Sequence, residues 1–313
     1  MSPFIVTITL SPSIDKSTSV PALIPEKKLK CATPKLEPGG GGINVARAIK
    51  KLGGEATAIF PSGGYAGQVL IHLMEKENVD SIIIETANET KENIVVLDDS
   101  TNKQYRFGMP GIALSTDEIN RCLKAVENIK KIDYLVASGS LPEGVPPNIF
   151  AQLAKIAKTK NAKFIVDTSG EALKYAFDEG VYLLKPNLSE LCSLAGLQKI
   201  DFNEVELVAK KLIGKNTCEI IVVSLGAEGA ILVTKNETFR EKTPQVIVKS
   251  TVGAGDSMLA GVVYSLSRGL SLKDALRYGV ACGSAATLNP GTALCKKEDV
   301  DRLVLSWQST VDS

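Results

Sequence analysis

The chain has 313 residues, 44% hydrophobic and 23% charged, a composition that suits a folded protein with a large core and excludes a disordered or low-complexity one. Thirty-six lysines and arginines against 35 acidic residues leave a net charge of +1, so no overall field draws it to nucleic acid or an anionic membrane. Any anionic ligand must be held by local geometry.

Met1 to Leu10 lacks the basic start and long apolar core of a signal peptide, and no later run is apolar enough to span a bilayer, so the cytoplasm is the expected compartment. Beyond the first strand, Leu10-Ser11-Pro12-Ser13-Ile14-Asp15 offers a carboxylate. Asp15 could accept hydrogen bonds from ligand hydroxyls or serve a turn. Pro38-Gly39-Gly40-Gly41-Gly42-Ile43-Asn44-Val45-Ala46-Arg47 then opens into the helical pattern Val45, Ala48, Ile49, Leu52. A dinucleotide fingerprint fits it poorly, because Asn44 stands where the last glycine belongs and Leu36-Glu37-Pro38 is a weak preceding strand. What remains is a loop whose N–H groups a ligand approaches closely, or a helix cap.

Short apolar runs follow at Ala58–Phe60, Tyr134–Ala137, Phe164–Val166, Tyr182–Leu184 and Ile220–Val223, with amphipathic helices predicted over Ile149–Lys158 and Val205–Ile213. Apolar strands separated by helices predict an α/β fold whose mostly parallel sheet is covered on both faces. Two regions break the rhythm: the stretch up to about Pro38, and Ile82–Met109, where Ile94–Leu97 and Gln104–Phe107 flank a polar turn as in a hairpin. A small β lid from discontinuous segments, within 1–40 and 82–112 of a single domain over 1–313, would account for both.

Three polar clusters sit at strand ends or helix starts. Lys185-Pro186-Asn187-Leu188-Ser189-Glu190 follows a strand; Asn187 and Glu190 could hold a hydrated Mg²⁺ or form a capping box. Ser224-Leu225-Gly226-Ala227-Glu228-Gly229 is either a nucleotide-contacting loop or a hairpin turn. Ser250-Thr251-Val252-Gly253-Ala254-Gly255-Asp256-Ser257 precedes an apolar helix expected over Met258–Leu266, with Met258 itself expected in the core. Its N–H groups would cradle an anion, and Asp256 beside them could be a proton acceptor or a cap. No Walker sequence occurs, His72 has no partners for a triad, and the six scattered cysteines lack the close pairs of a zinc or redox motif and are expected reduced.

Jointly, the Gly39–Arg47 run, Lys185-Pro186-Asn187 with Glu190, and Gly253-Ala254-Gly255-Asp256 resemble the ribokinase, or PfkB-type, family of carbohydrate kinases in order and spacing. Gln104-Tyr105-Arg106-Phe107 and Ser138-Gly139-Ser140-Leu141-Pro142 are similar to its fructose 6-phosphate branch. The resemblance implies a three-layer ribokinase-like sandwich, a β lid, often a dimer formed lid to lid, and ATP-dependent phosphorylation of a sugar phosphate. Fructose 6-phosphate is the expected substrate, with tagatose 6-phosphate and fructose 1-phosphate as alternatives and a silent sugar-phosphate or nucleotide sensor as the rival class. It implies Asp256 as base with Gly253, Ala254 and Gly255 around the moving phosphoryl group. Asp15, Gly40, Gly41 and Asn44 would hold sugar hydroxyls, and Lys28, Lys91, Arg106 and Ser140 the existing phosphate. Lys185, Asn187, Ser224, Gly226, Gly229 and Ser284 would serve ATP, Asn187 and Glu190 would hold Mg²⁺ through water, and Ser250, Val252, Ala286, Asn289 and Gly291 match a potassium-binding stretch. The chain departs from that branch at Lys30 and Lys91, which stand for arginines and lack the bidentate phosphate grip of a guanidinium, at Ile24 for a tyrosine, and at Ala293 for an arginine.

Overall fold

The computed structural model describes residues 3–111, 113–215 and 217–311, with side chains to 306. Ile112, within the predicted lid span, lies outside the described residues. Thirteen strands occur among them: β1 (Ile5–Ile8), β2 (Ser13–Val20), β3 (Lys35–Gly39), β4 (Thr57–Ser62), β5 (Ser81–Glu85), β6 (Lys91–Asp98), β7 (Lys103–Phe107), β8 (Tyr134–Ser138), β9 (Lys163–Asp167), β10 (Val181–Leu184), β11 (Cys218–Ser224), β12 (Ala230–Val233) and β13 (Thr238–Glu241).

Nine of them make one sheet in the order β13-β12-β11-β10-β9-β8-β1-β4-β5, parallel except for β12 and β13 at one edge. Alternating residues of each strand feed two separate cores, as the twofold period of a strand requires. Val6 and Ile8, Leu135 and Ala137, and Phe164 and Val166 pack on one face, whereas Ile5, Tyr134, Val136 and Ile165 pack on the other. Burial on both faces is why these strands read as continuous apolar runs. On the first face lie helices including Ile149–Thr159 and Val205–Ile213; on the second lie Gly41–Lys51, Ala254–Ser267 and Leu272–Thr287. The result is the three-layer α/β sandwich expected. No helix of the described residues is long and apolar enough to cross a membrane.

The remaining strands form a second sheet, β3-β2-β6-β7, in which β6 and β7 are the predicted hairpin. One correction to the predicted spans follows. β1 and β5 fall within the residues assigned to the lid but pair inside the main sheet, because their apolar side chains are needed between the helical layers. Leu36-Glu37-Pro38, within the predicted lid span, is a strand of this second sheet, antiparallel to β2. The lid's outward residues Leu36, Tyr105, Phe107 and Met109 are exposed.

Candidate active site

Parallel strands bring the residues at their C-terminal ends into one row. Ser138 stands opposite Asp167, Leu184 opposite both Val166 and Ile221, and Asn187 bridges to Ser224. Open α/β sheets bind ligands at this edge, and the helix carrying Asp256 points its N-terminus there.

That helix begins at Ala254 rather than Met258, so Asp256 lies in its first turn. Gly253 is the N-cap at φ 75°, a conformation costly for a side chain bearing Cβ. The first-turn N–H groups of Gly255 and Asp256 have no intrahelical acceptor and, with the helix dipole, form an anion cradle. Asp256 itself does not cap the helix. Its Oδ2 accepts from Asn44 Nδ2 at 2.9 Å. Burial pushes its pKa up to about 6, reinforced by Asp167 and Asp15 and opposed by Asn44 and Lys185. A carboxylate poised there can accept a proton near neutral pH.

The glycine run supplies the wall opposite. Gly40 caps the helix Gly41–Lys51, and a Cβ on Gly41 would stand 2.3 Å from Ser138 Oγ and 2.7 Å from Gly139 N. This close approach is the use the run makes of its glycines, and it brings Asn44 to Asp256.

Asp15 lies inside β2, not in a turn; it is buried and accepts from Ser13 Oγ at 2.8 Å and Asn93 Nδ2 at 2.9 Å. Lys91, at the start of β6, is half-buried, and desolvation lowers its pKa against the pull of Asp15. From β7, Arg106 Nη2 donates to Thr251 Oγ1 at 3.1 Å, clasping the lid to the segment before Asp256. Ser140 is exposed just past β8. Lys28 lies exposed in the 21–34 loop, and no hydrogen bond or ion pair among the described residues ties it there. Lys30 is equally exposed.

On the nucleotide side a cleft of about 530 Å³ is lined by Ser224, Gly226, Gly229, Ser284, Gly255 and Met258, with Val246, Val248 and Val280 as apolar walls. A flat heterocycle with a polyphosphate leading toward Gly255 fits that mixture. The Ser224–Gly229 segment is a turn joining antiparallel β11 and β12, as the hairpin reading allowed, and it also walls the cleft. Met258 likewise is buried in the core yet touches the cleft, so the core assignment was incomplete.

Asn187 and Glu190 form the capping box: Glu190 N donates to Asn187 Oδ1 at 2.9 Å and Asn187 N to Glu190 Oε2 at 2.8 Å. Lys185 is buried with its Nζ 3.1 Å from Asp167 Oδ1. Desolvation, and then Asp167, raise the pKa of Glu190 against its bond from Asn187 N and the charge of Lys185. Two facing carboxylates, with Glu190 Oε1 unused, fit a hard divalent cation held through water. Asp167 escaped the sequence reading, although its signal was present as a carboxylate one residue past a predicted strand.

Ser250 Oγ donates to the Gly291 carbonyl at 2.6 Å, and Lys249 N to the Thr287 carbonyl at 2.8 Å, so the 249–252 and 286–291 segments adjoin. Asn289 turns inward, its Nδ2 bonded to the carbonyls of Ala285 and Leu294. Ser250, Val252, Ala286, Asn289 and Gly291 thus share one neighbourhood of backbone oxygens, the donor type a monovalent cation accepts.

A buried carboxylate of raised pKa at a helix N-terminus, an apolar cleft on one side and a small second sheet on the other suit a ribokinase-like carbohydrate kinase. The chain belongs to the pfkB family of carbohydrate kinases, whose profile matches residues 6–299. It is 44% identical over 300 residues to the ATP-dependent 6-phosphofructokinase isozyme 2 of Escherichia coli, covering 96% of this chain and 97% of that protein. Crystal structures of Escherichia coli phosphofructokinase-2 superpose closely. The complex with fructose-6-phosphate gives a TM-score of 0.92 at 41% identity, and the complex with potassium 0.94 at 43%; each covers 98% of this chain and 100% of the other.

Proposed function

We propose that the chain transfers the γ-phosphoryl group of ATP to the free primary hydroxyl of fructose 6-phosphate, giving fructose 1,6-bisphosphate. The observation that carries this reading is the Asn44–Asp256 hydrogen bond, which places a carboxylate of raised pKa between the lid residues and the nucleotide cleft. The extent of the likeness to proteins named for fructose 6-phosphate supports the choice of sugar. Gly41 adds to it, since tagatose 6-phosphate and fructose 1-phosphate kinases tend to carry lysine there.

Asp256 takes the hydroxyl proton as the oxygen attacks, and the N–H groups of Gly253, Ala254 and Gly255 hold the charge on the transferring group. Asp15, Gly40, Gly41 and Asn44 orient the sugar hydroxyls, with Lys91, Arg106 and Ser140 toward its phosphate. Lys185, Asn187, Ser224, Gly226, Gly229 and Ser284 seat the nucleotide. Asp167 and Glu190 would hold Mg²⁺ through water, and when bound it neutralises charge on the β- and γ-phosphates. The 250–252 and 286–291 carbonyls are proposed to take potassium, a reading supported by the similarity to a potassium complex. The lid's exposed Leu36, Tyr105, Phe107 and Met109 are proposed to meet a second copy, and the cytoplasm is the proposed compartment.

A coupled ADP-release assay over four acceptors tests the proposal. We expect kcat/KM for fructose 6-phosphate to exceed those for tagatose 6-phosphate and fructose 1-phosphate by about tenfold or more, with ribose negligible. A higher value for either competitor would reassign the substrate, and no ADP with any would favour the sensor.

A second expectation concerns pH. Because Asp256 must be ionised to accept the proton, kcat/KM falls about tenfold per pH unit below about 6. A rate unchanged down to pH 4.5 would remove Asp256 as the titrating base.

A further inference from the structure

Arg47 is fully buried behind the glycine run, yet nothing in the reaction as described uses it. Four of its N–H groups donate. Nη1 reaches the Pro38 carbonyl at 2.7 Å and Asn44 Oδ1 at 3.1 Å, and Nε and Nη2 grip the two oxygens of Glu77, the former at 3.1 Å. Nη2 also faces Glu37 Oε1 at 3.8 Å, while Thr292 Oγ1 donates to the other oxygen of Glu37 at 2.9 Å. One guanidinium therefore ties together β3 of the lid, the helix Gly41–Lys51 and the end of the helix Gly64–Lys76, with Thr292 joined through Glu37.

The chemistry of the contact with Asn44 is directional. A guanidinium carries donors only, so the end of the Asn44 carboxamide facing Arg47 has to be its oxygen. The NH₂ end is then turned to Asp256 Oδ2. Without Arg47 the amide is free to rotate by half a turn and present its oxygen to Asp256, an arrangement that suits only a protonated carboxyl. Asp256 Oδ1 has no hydrogen-bond partner among the described residues and remains the oxygen open to an acceptor hydroxyl.

We propose that Arg47 is a positioning residue for phosphoryl transfer: by fixing which end of the Asn44 carboxamide faces Asp256, it holds Asp256 as an acceptor aimed at the sugar. This rests on the reading of Asp256 as the base. The charges facing Asp256 from the other packed elements, Asp15, Asp167 and Lys185, are untouched by a change at Arg47.

The test replaces the pair together, Arg47→Met with Glu77→Gln, so that half-buried Glu77 is not left with Lys51 as its only cation. We expect the acid limb of kcat/KM to move up by about one pH unit, an activity loss of about fivefold at pH 6 that approaches tenfold below pH 5, with the Kd for MgATP unchanged. A folded variant whose melting temperature falls while its pH profile superposes on the wild type would overturn the proposal, since Arg47 would then be structural only. If the double variant does not fold, the wild-type enzyme decides. The side-chain amide signal of Asn44, assigned by its loss in Asn44→Ser, should shift with the titration of Asp256 seen by carboxyl NMR; an amide indifferent to that titration overturns the assigned orientation. That measurement needs no activity. An active Asp256→Asn would therefore sink the base reading alone, while a static Asn44 signal beside an inactive Asp256→Asn would sink this inference alone.

Discussion

Asp256→Asn is expected to lower kcat by about 10²–10⁴-fold while MgATP binds as before and the protein becomes more stable at neutral and alkaline pH. The catalytic loss follows from geometry: the amide can still accept from Asn44 Nδ2, so the helix start and its cradle stay in place, but it cannot take a proton. The gain in stability follows from linkage. Burial and the neighbouring Asp167 and Asp15 carboxylates raise the Asp256 carboxyl from an ordinary 3.8 to about 6, so the folded state holds a proton that the unfolded chain releases. The stability Asp256 contributes is fully present below 3.8 and is lost as the pH rises through about 6. Wild type therefore carries a cost at pH 8 that the neutral amide lacks, whereas near pH 3.5 the difference closes. Thermal unfolding at both pH values, beside single-turnover rates, measures the pair of effects. Wild-type turnover in the variant would exclude Asp256 as the base, and equal melting temperatures at pH 8 would contradict the raised pKa.

Lys185→Met is expected to destabilise the fold by about 3–5 kcal/mol and to move the acid limb of catalysis upward. Burial works against the charge of Lys185, but Asp167, with further help from Asp256 and Glu190, more than offsets it and raises the pKa of the lysine. Removing the cation leaves Asp167, Glu190 and Asp256 facing one another at the strand ends, and Glu190 and Asp256 then resist ionisation further. Adding Asp167→Asn should recover most of the stability, because the carboxylate in direct contact with Lys185 is then neutral as well. It should not recover activity, since an oxygen proposed for Mg²⁺ is lost with it. Urea midpoints for the single and double variants, read with pH–rate profiles, separate the two consequences. A double variant no more stable than the single one would show that the ion pair is not the source of the cost.

The sequence carried the architecture because parallel strands buried on both faces must be apolar at every position. Tyr134–Ala137 and Ile220–Val223 could hardly be read otherwise, and Val205–Ile213 begins and ends where its helical period does. The lid's limits were less legible. Ser81–Glu85 has the same apolar character whether it pairs with β4 or with a lid strand, and only the register with Thr57–Ser62 decides. The Asn187–Glu190 spacing suits a metal pair and a capping box equally, and in the fold the box forms while Glu190 Oε1 stays available. Lys28 lies exposed in the 21–34 loop, where local sequence pattern does not fix what its side chain meets.

By itself the sequence determined the α/β class, the glycine-rich approach loop, the small-residue helix start at Gly253–Gly255 and the carboxylate at Asp256, because each is set by residue type within a few positions along the chain. Tertiary structure alone decided what those residues meet. Asn44 and Asp256 lie 212 positions apart, and Glu37 and Thr292 255 apart. The raised pKa of Asp256, the pairing of Lys185 with Asp167 and the grip of Arg47 on Glu77 come from burial and from neighbours brought together by the fold. Electrostatics and hydrogen-bond direction depend on distance in space, which local sequence pattern does not encode.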